Sequence, residues 1–348
     1  MTSIESKITS RQSNMELLRI ISMMMVLIVH IDGASLELPY INGNISQLNA
    51  HNAWKLIVES FSIIGVNCFV LISGYFGIRP SWHGFLKFTG YCMFYSVGIY
   101  VLYIHFSGNF ADKWSWMGLI ESFLVYTHTD LWFVPAYLGL YLISPFVNKA
   151  IDVLDKHQFT IFLIAFITFN VYAGWLWEGS FNPTGYTIIQ LIMLYLIGQY
   201  IKRYYSQINN NRKYVIAGYI IFTALIFIQS LYCTPTISFA YNSPFVLAAS
   251  ICFFLIFQTF KFHNNYINIL ATSAFSVYLI HKNPLIWIHL KKLVFSLWAQ
   301  YDLTSFSFIA IFLAIAIFFG CCIIDQIRQI FIIFMHKLAH KFVYEKKA

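Results

Sequence analysis

Apolar residues in this chain fall into long runs, and a short polar segment separates each run from the next. About 20 apolar residues cross the hydrocarbon core of a bilayer as an α-helix, so these runs predict about ten transmembrane helices. A stretch at 116–127 is too short to cross, and we expect it to be interfacial or re-entrant. The predicted spans are 15–35, 55–77, 84–106, 131–149, 159–177, 186–202, 213–231, 243–260, 267–290 and 305–327.

The pattern and the composition together predict an all-α, polytopic membrane protein. The runs lack the alternation of apolar and polar residues that β-barrel strands require. The chain is 59% hydrophobic and only 10% charged, whereas soluble proteins are about 25% charged. We therefore expect a cytoplasmic N-terminal segment at 1–14, a transmembrane domain at 15–335 and a basic cytoplasmic tail at 336–348, lying on anionic lipid headgroups.

The positive charges indicate the orientation of the spans. If the N-terminus is cytoplasmic, about 17 of the 22 Lys and Arg residues lie inside or near the inner face. This bias favours N-in and C-in. It also explains the basic excess through topology, so no nucleic-acid partner is predicted.

The first span carries two ionisable residues, Arg19 and His30. Their separation of eleven residues places both side chains on one helix face, about 16 Å apart along the axis. Ionisable groups inside a membrane are costly and indicate function. Glu16, three residues before Arg19, can pair with it. Asp32 either orients His30 or is a solvated loop carboxylate.

A second histidine, His281, lies in the ninth span and shares a helix face with Tyr278. If the spans are centred as predicted, His281 and His30 both lie slightly outside the midplane, where they can line one cavity. A neutral imidazole can take a proton from a hydroxyl group. The histidines lack Cys or carboxylate companions at metal-site spacing, and the six cysteines show no such spacing either, so no metal site is predicted.

Two further regions carry candidates with open alternatives. Arg79 follows the second span and, with Arg19, can bind phosphates through its guanidinium group, or it is a positive-inside anchor. Trp132 and Tyr137, at the start of the fourth span, either form the wall of a site open to the outside or belong to an interfacial aromatic belt.

Four segments together resemble a known family. They are Glu16-x-Leu18-Arg19 with Arg19-x10-His30, the turn Phe69-x-x-x-Ser73-Gly74-Tyr75, the stretch from Leu131-Trp132-Phe133 to Ser144-Pro145, and Tyr278-Leu279-Ile280-His281. Their order and spacing resemble the acyltransferase-3 family of integral membrane O-acyltransferases, in particular the branch that acetylates enterobacterial common antigen and O-antigen.

The resemblance implies a reaction and a location. Acetyl-CoA, or less often another acyl-CoA, would bind from the cytoplasm and donate its acyl group to a hydroxyl of a surface or lipid-linked glycan. The enzyme would lie in the bacterial cytoplasmic membrane, among its lipids, without a permanently bound cofactor. His30 would be the general base or carry the acyl group itself. The implied site residues are His30, Glu16 and His281 for catalysis, Arg19, Arg79, Ser73 and Tyr75 for the donor, and Trp132, Tyr137 and Tyr278 for the acceptor.

Other functions remain open at the level of sequence. A transporter or flippase of an anionic glycolipid or precursor would use Arg19 as a counter-charge and His30 as a proton relay. In a sensor or scaffold, the buried charges would be structural. Succinyl rather than acetyl transfer, and a homo-oligomeric assembly, are also compatible with the sequence.

Overall fold

Helices occupy the positions of the apolar runs in a computed structural model of the chain. The structure describes residues 11–107, 114–127, 129–176, 179–205 and 212–345. Within these ranges the chain is helical and contains no β-strand, which confirms the all-α class. The α-helices are α1 (Ser13–Ile31), α2 (Gly33–Leu36), α3 (Ala50–Ser62), α4 (Gly65–Phe76), α5 (Trp82–Phe106), α6 (Trp116–Phe123), α7 (Phe133–Asp152), α8 (Lys156–Asn170), α9 (Ile188–Tyr204), α10 (Arg212–Tyr232), α11 (Pro235–Ser238), α12 (Pro244–Gln258), α13 (Asn265–Thr272), α14 (Ala274–His281), α15 (Pro284–Gln300) and α16 (Leu303–Glu345).

Six helical segments in the described part of the chain are long and apolar enough to cross a membrane. The remaining predicted spans fall on shorter or less apolar helices, so the count of about ten stays a prediction, as does the orientation. The last helix, α16, runs without a break through the predicted domain boundary at 335/336. The six segments are Ser13–Leu36, Ala50–Phe76, Trp82–Phe106, Lys156–Trp175, Arg212–Tyr232 and Leu303–Phe334.

Two of the predicted spans are interrupted helices. The 55–77 span consists of α3 and α4, and the 267–290 span consists of α13, α14 and the beginning of α15. Pro284 opens α15 because proline lacks the N–H that a continuing helix would need. The Asn283 side chain accepts a hydrogen bond from the Leu285 N–H at 3.1 Å and so caps the new helix. The break leaves His281 in the last turn of α14.

Helix α1 lies at the centre of the bundle and contacts α3, α4, α12, α13, α14 and α16. Its rotation is set by polar side chains at its N-terminus. Ser13 donates a hydrogen bond to the Asn268 side chain at 2.9 Å, and Asn14 donates one to the Phe257 carbonyl at 3.1 Å. Buried polar groups need such partners, so these bonds favour one rotational setting of α1.

A buried polar network ties α16 to α5 and to the start of α14. The Asp325 carboxylate accepts hydrogen bonds from Tyr95 at 2.6 Å and from Arg328 at 2.7 Å. Gln326, on the same helix, donates to the Ser273 hydroxyl at 2.8 Å, immediately before α14 begins. The network therefore fixes the N-terminal end of the short helix that carries His281.

The Ser73-Gly74-Tyr75 segment, expected as a turn, forms part of the last turns of α4. The chain turns only after it, at Gly77, whose φ of 77° suits glycine. Gly74 instead lies where α4 crosses α9 against Gly198, and a Cβ on Gly198 would lie 2.6 Å from the Leu71 carbonyl oxygen. Small residues thus let the two helix backbones approach closely.

We predict that Gly198→Ala destabilises the fold by about 1–3 kcal/mol, because the added methyl group forces α4 and α9 apart. Thermal unfolding in detergent would measure the change. Gly98→Ala is the matched control, since no atom lies within 4 Å of a Cβ at that helical position. Equal unfolding temperatures for the two variants would contradict the close crossing.

Candidate active site

Two histidines from different helices form a hydrogen-bonded pair in the interior. His30 Nδ1 lies 2.8 Å from His281 Nε2, and His281 Nδ1 lies 2.5 Å from the Val277 carbonyl oxygen. A carbonyl can only accept, so His281 carries its proton on Nδ1 and its Nε2 is the acceptor. His30 must then donate from Nδ1. Its Nε2 therefore keeps an unprotonated lone pair, the state that a proton acceptor requires.

The ends of two helices position this pair. His30 lies in the last turn of α1, where the Ser35 hydroxyl donates to the His30 carbonyl at 2.7 Å. The Trp287 ring packs edge-on against the His30 ring, with centroids 5.6 Å apart. The Lys282 ammonium lies 4.1 Å from the centroid of the same Trp287 ring. Helix ends, tryptophan and His281 thus hold the imidazole of His30 in one orientation.

A cavity of about 30 Å³ lies beside His30. Its small volume suits a short group better than a long chain. Among the described residues that line it, His30 is the only one that is charged or readily protonated near neutral pH. The lining residues are Met23, Val26, Val29, His30, Ser62, Ile63, Val66, Phe69, Trp132, Phe133, Tyr241, Phe275 and Tyr278.

Aromatic rings close one side of this cavity. The Trp132 ring centroid lies 4.6 Å from that of Tyr186 and 5.8 Å from that of Tyr241. Tyr278 also lines the cavity, one helical turn before His281. Tyr137 stands behind this wall and stacks on Phe133, and its hydroxyl lies 3.3 Å from that of Ser73. The structure thus brings Trp132 and Tyr278 to the cavity and leaves Tyr137 one layer away.

Arg19 and Glu16 lie at the opposite end of α1. The Glu16 carboxylate is 3.7 Å from Arg19 Nε and 3.4 Å from Arg11 Nη1, which makes it a loose partner of two cations. Fourteen residues separate Glu16 from His30, about 21 Å along the helix. Glu16, expected among the catalytic residues, is therefore placed with the arginines and not with the histidine pair.

The Phe69 ring lies between the arginine end and the cavity. The Arg19 guanidinium carbon is 5.8 Å from the ring centroid, and the same ring lines the cavity beside His30. Arg19 itself keeps about a quarter of its side chain exposed. The Phe69 ring thus lies next to the Arg19 guanidinium and also lines the cavity that His30 lines.

The other residues predicted for the donor are spread around the end of α4. Ser73 donates to the Phe69 carbonyl at 3.3 Å, Tyr75 is buried, and Arg79 is exposed beyond the helix. Lys202 from α9, which the sequence reasoning missed, places its ammonium 4.6 Å from the Tyr75 ring centroid. In the sequence, Lys202 is one of several basic residues at the ends of predicted spans, so no local signal distinguished it.

Two buried carboxyl groups lie near the His30 end of α1. Asp32 is completely buried and Glu59 nearly so. Gly33 permits the approach of Glu59, because a Cβ at position 33 would lie 2.9 Å from the carboxylate. Lys55 lies nearby and donates to the Leu36 carbonyl at 2.8 Å. The His30 ring is oriented by His281 rather than by Asp32. The sequence reasoning missed Glu59, although an ionisable residue within the predicted span 55–77 was a signal that could have found it.

Within the described part of the chain, no group of three or more His, Cys, Asp or Glu residues is arranged to hold a metal ion.

Comparison with known proteins gives one result. A model of the acyltransferase-3 family, described as an acyltransferase domain, matches residues 12–325. The match includes both histidines, Arg19 and the aromatic wall. No curated protein and no solved structure matches the chain. Since the match extends over nearly the whole transmembrane part, the chain belongs to the acyltransferase-3 family.

Proposed function

We propose that this protein transfers an acetyl group from cytoplasmic acetyl-CoA to a hydroxyl group of a surface or lipid-linked glycan. The observation that carries the proposal is the unprotonated Nε2 of His30, a residue that lines a small cavity and whose ring is held by His281. An acyl transfer to an alcohol needs a proton acceptor at that position and needs no redox group. The enzyme would lie in the bacterial cytoplasmic membrane with its N-terminus inside.

His30 acts as the general base in this mechanism. Its Nε2 takes the proton of the acceptor hydroxyl while the oxygen attacks the thioester carbonyl carbon. The C–S bond of the tetrahedral intermediate then breaks, and the leaving thiolate takes the proton from His30. His281 accepts the Nδ1–H hydrogen bond throughout and, anchored on the Val277 carbonyl, stabilises the imidazolium that forms. The products are an ester and free coenzyme A.

The cations at the other end of α1 suit the phosphates of coenzyme A. Arg19 and Lys202 lie over two rings of α4, Phe69 and Tyr75, which are six residues or about 9 Å apart along that helix. Arg79 follows the same helix. Guanidinium groups bind phosphate oxygens in a bidentate manner. The pantetheine arm would then extend past Phe69 towards His30.

The cavity beside His30 favours acetyl over succinyl transfer. It is small, at about 30 Å³, and the described residues that line it include no Lys or Arg side chain that could pair with a carboxylate. Burial of an unpaired carboxylate is costly. A two-carbon acyl group fits the space without either penalty.

We expect His30→Ala to lower the turnover of acetyl transfer by about 10²–10⁴-fold, the usual contribution of a general base. His281→Ala should lower it less, and His281→Gln should recover part of the loss, since the Gln carbonyl can accept from His30 Nδ1. Release of free coenzyme A from acetyl-CoA by membranes containing the protein would measure these effects.

The matched control is His263→Ala, which alters an exposed loop histidine and should leave the rate unchanged. In cells, His30→Ala should remove acetate from the glycan while export continues. Lost export with normal acetylation of each exported chain would instead support a transporter. If acetylated His30 were trapped in the wild-type protein, His30 would be an acyl carrier and not a general base.

We predict that Arg19→Lys weakens acetyl-CoA binding by about tenfold, because lysine keeps the charge but loses the planar fork. Arg212→Lys is a suitable control. Arg212 also lies over a phenylalanine, 4.3 Å from the Phe260 ring centroid, but on a different helix. Calorimetric titration of the purified proteins would compare the affinities, and unchanged binding in Arg19→Lys would remove Arg19 from the donor site.

Val26→Ala should enlarge the cavity and raise the preference for propionyl-CoA relative to acetyl-CoA by about tenfold. A difference of one methylene group in an apolar pocket changes discrimination between substrates by at least about this factor. Val70→Ala, at a buried position outside the cavity lining, controls for general loosening of the fold. Competition between the two donors would measure the ratio. If the preference for propionyl-CoA rose equally in both variants, this cavity would not determine which acyl group is transferred.

A further inference from the structure

A second cavity lies on the other side of the histidine pair. It has a volume of about 810 Å³ and lies between α5, α15 and α16. This volume is within the range of about 300–1,000 Å³ that small-molecule sites occupy. Most of its lining is aliphatic or aromatic, including Leu102, Leu293 and Ile317. The proposed acyl transfer uses the first cavity and assigns no function to this larger one.

The walls of this second cavity belong to the membrane-facing side of the bundle. Two of the four helices that line it, α5 and α16, contain spans apolar enough to cross a membrane, and 22% of the most apolar part of each span is buried. Leu102, Phe106 and Ile324 line the cavity and are 55%, 79% and 49% exposed. In a membrane, such surfaces contact hydrocarbon. A hydrocarbon chain can therefore enter the cavity sideways, without crossing water.

The second cavity also reaches the catalytic pair. His281 forms part of its wall, and the same residue accepts the hydrogen bond from His30. His30 in turn lines the small cavity that would receive the acyl group. The two cavities thus lie next to the two members of the hydrogen-bonded pair, the small one beside His30 and the large, mostly apolar one beside His281.

From this arrangement we infer that the second cavity holds the hydrocarbon chain of a membrane-anchored acceptor, an inference that rests on the proposed acetyl transfer. Lipid tails are as apolar as the cavity walls, so the chain gains little hydrophobic free energy by entering. The gain is in position: a chain held against His281 keeps the hydroxyl group at its head beside His30. Most of the walls are apolar, so a water-soluble sugar would find few polar partners there beyond Tyr103, Ser107, His281 and His289.

The pantetheine arm of acetyl-CoA does not compete for the second cavity. The cations suited to coenzyme A lie at the arginine end of α1, and none of Arg19, Arg79 and Lys202 lines the second cavity. The acyl group of the donor is accommodated in the small cavity instead. The occupant of the large cavity is therefore assigned to the acceptor.

Gly320 on α16 allows the cavity to be filled without disturbing the fold. It lines the cavity, and no atom lies within 4 Å of a Cβ built at this position. Leucine there would occupy the cavity and would also favour the helix. Gly98 on α5 has equally open surroundings and does not line the cavity, so Gly98→Leu is the matched control.

The first experiment tests binding. Full-length protein in phosphatidylcholine nanodiscs is irradiated with a hexadecyl β-glucoside that carries a diazirine in its chain, and cross-linked peptides are identified by mass spectrometry. We expect cross-links on α5, α15 and α16, reduced about tenfold by Gly320→Leu and unchanged by Gly98→Leu. Equal labelling by a diazirine phosphatidylcholine would show that ordinary bilayer lipid fills the cavity and would overturn the inference.

The second experiment tests the acceptor itself. Membranes of the cell that naturally makes the protein receive radiolabelled acetyl-CoA, and the label extracted into organic solvent is compared with that of membranes lacking the protein. Gly320→Leu should lower this label about tenfold while acetyl-CoA affinity stays unchanged. Label found only in water-soluble glycan, or acetyl-CoA affinity lost together with the label, would overturn the inference.

If the proposed acetyl transfer is itself wrong, the same membranes give a different result. If His30→Ala transferred as much label as the wild type, the acyltransferase mechanism would be wrong. Cross-linking by the alkyl glucoside would still report whether the cavity binds an anchored chain.

Discussion

The hydrogen bond between His30 and His281 is the interaction on which the rest of the site depends. It joins α1 to α14 in an interior where an unpaired imidazole nitrogen would be costly. The Val277 carbonyl at one end of the chain of hydrogen bonds gives it a direction, because a carbonyl only accepts. That direction leaves the unprotonated Nε2 of His30 at the other end, and His30 lines the small cavity.

Much of the surrounding fold serves to hold these two helix ends in register. Polar contacts near Ser13 favour one rotation of α1 about its axis, and the Asp325 network with Gln326 fixes the start of α14 at Ser273. The close crossing at Gly74 and Gly198 holds α4, whose Phe69 lies between the cationic end of α1 and the cavity. A rigid frame of this kind is what precise positioning of a base requires.

The two cavities give the histidine pair different chemical surroundings on its two sides. The small cavity beside His30 has an aromatic wall, and the larger one beside His281 is mostly apolar and lined by exposed residues of α5 and α16. The proposed donor and acceptor thus approach one catalytic group from separate compartments. Such separation suits an enzyme whose donor is dissolved in water and whose acceptor is held in lipid.

The sequence alone determined the helical class and the alignment of Arg19 with His30, because apolar run length and the 3.6-residue period are local properties. It also identified His281, since an ionisable residue is conspicuous in an apolar run. Only the tertiary structure decided that His281, rather than Asp32, contacts His30, that Glu16 lies with the arginines, and that Lys202 and Glu59 approach the site. Apolar runs look alike whichever helix they face, so neither the breaks before α4 and α14 nor the long-range contacts could be obtained from run length. The break before α15 does have a local signal, Pro284.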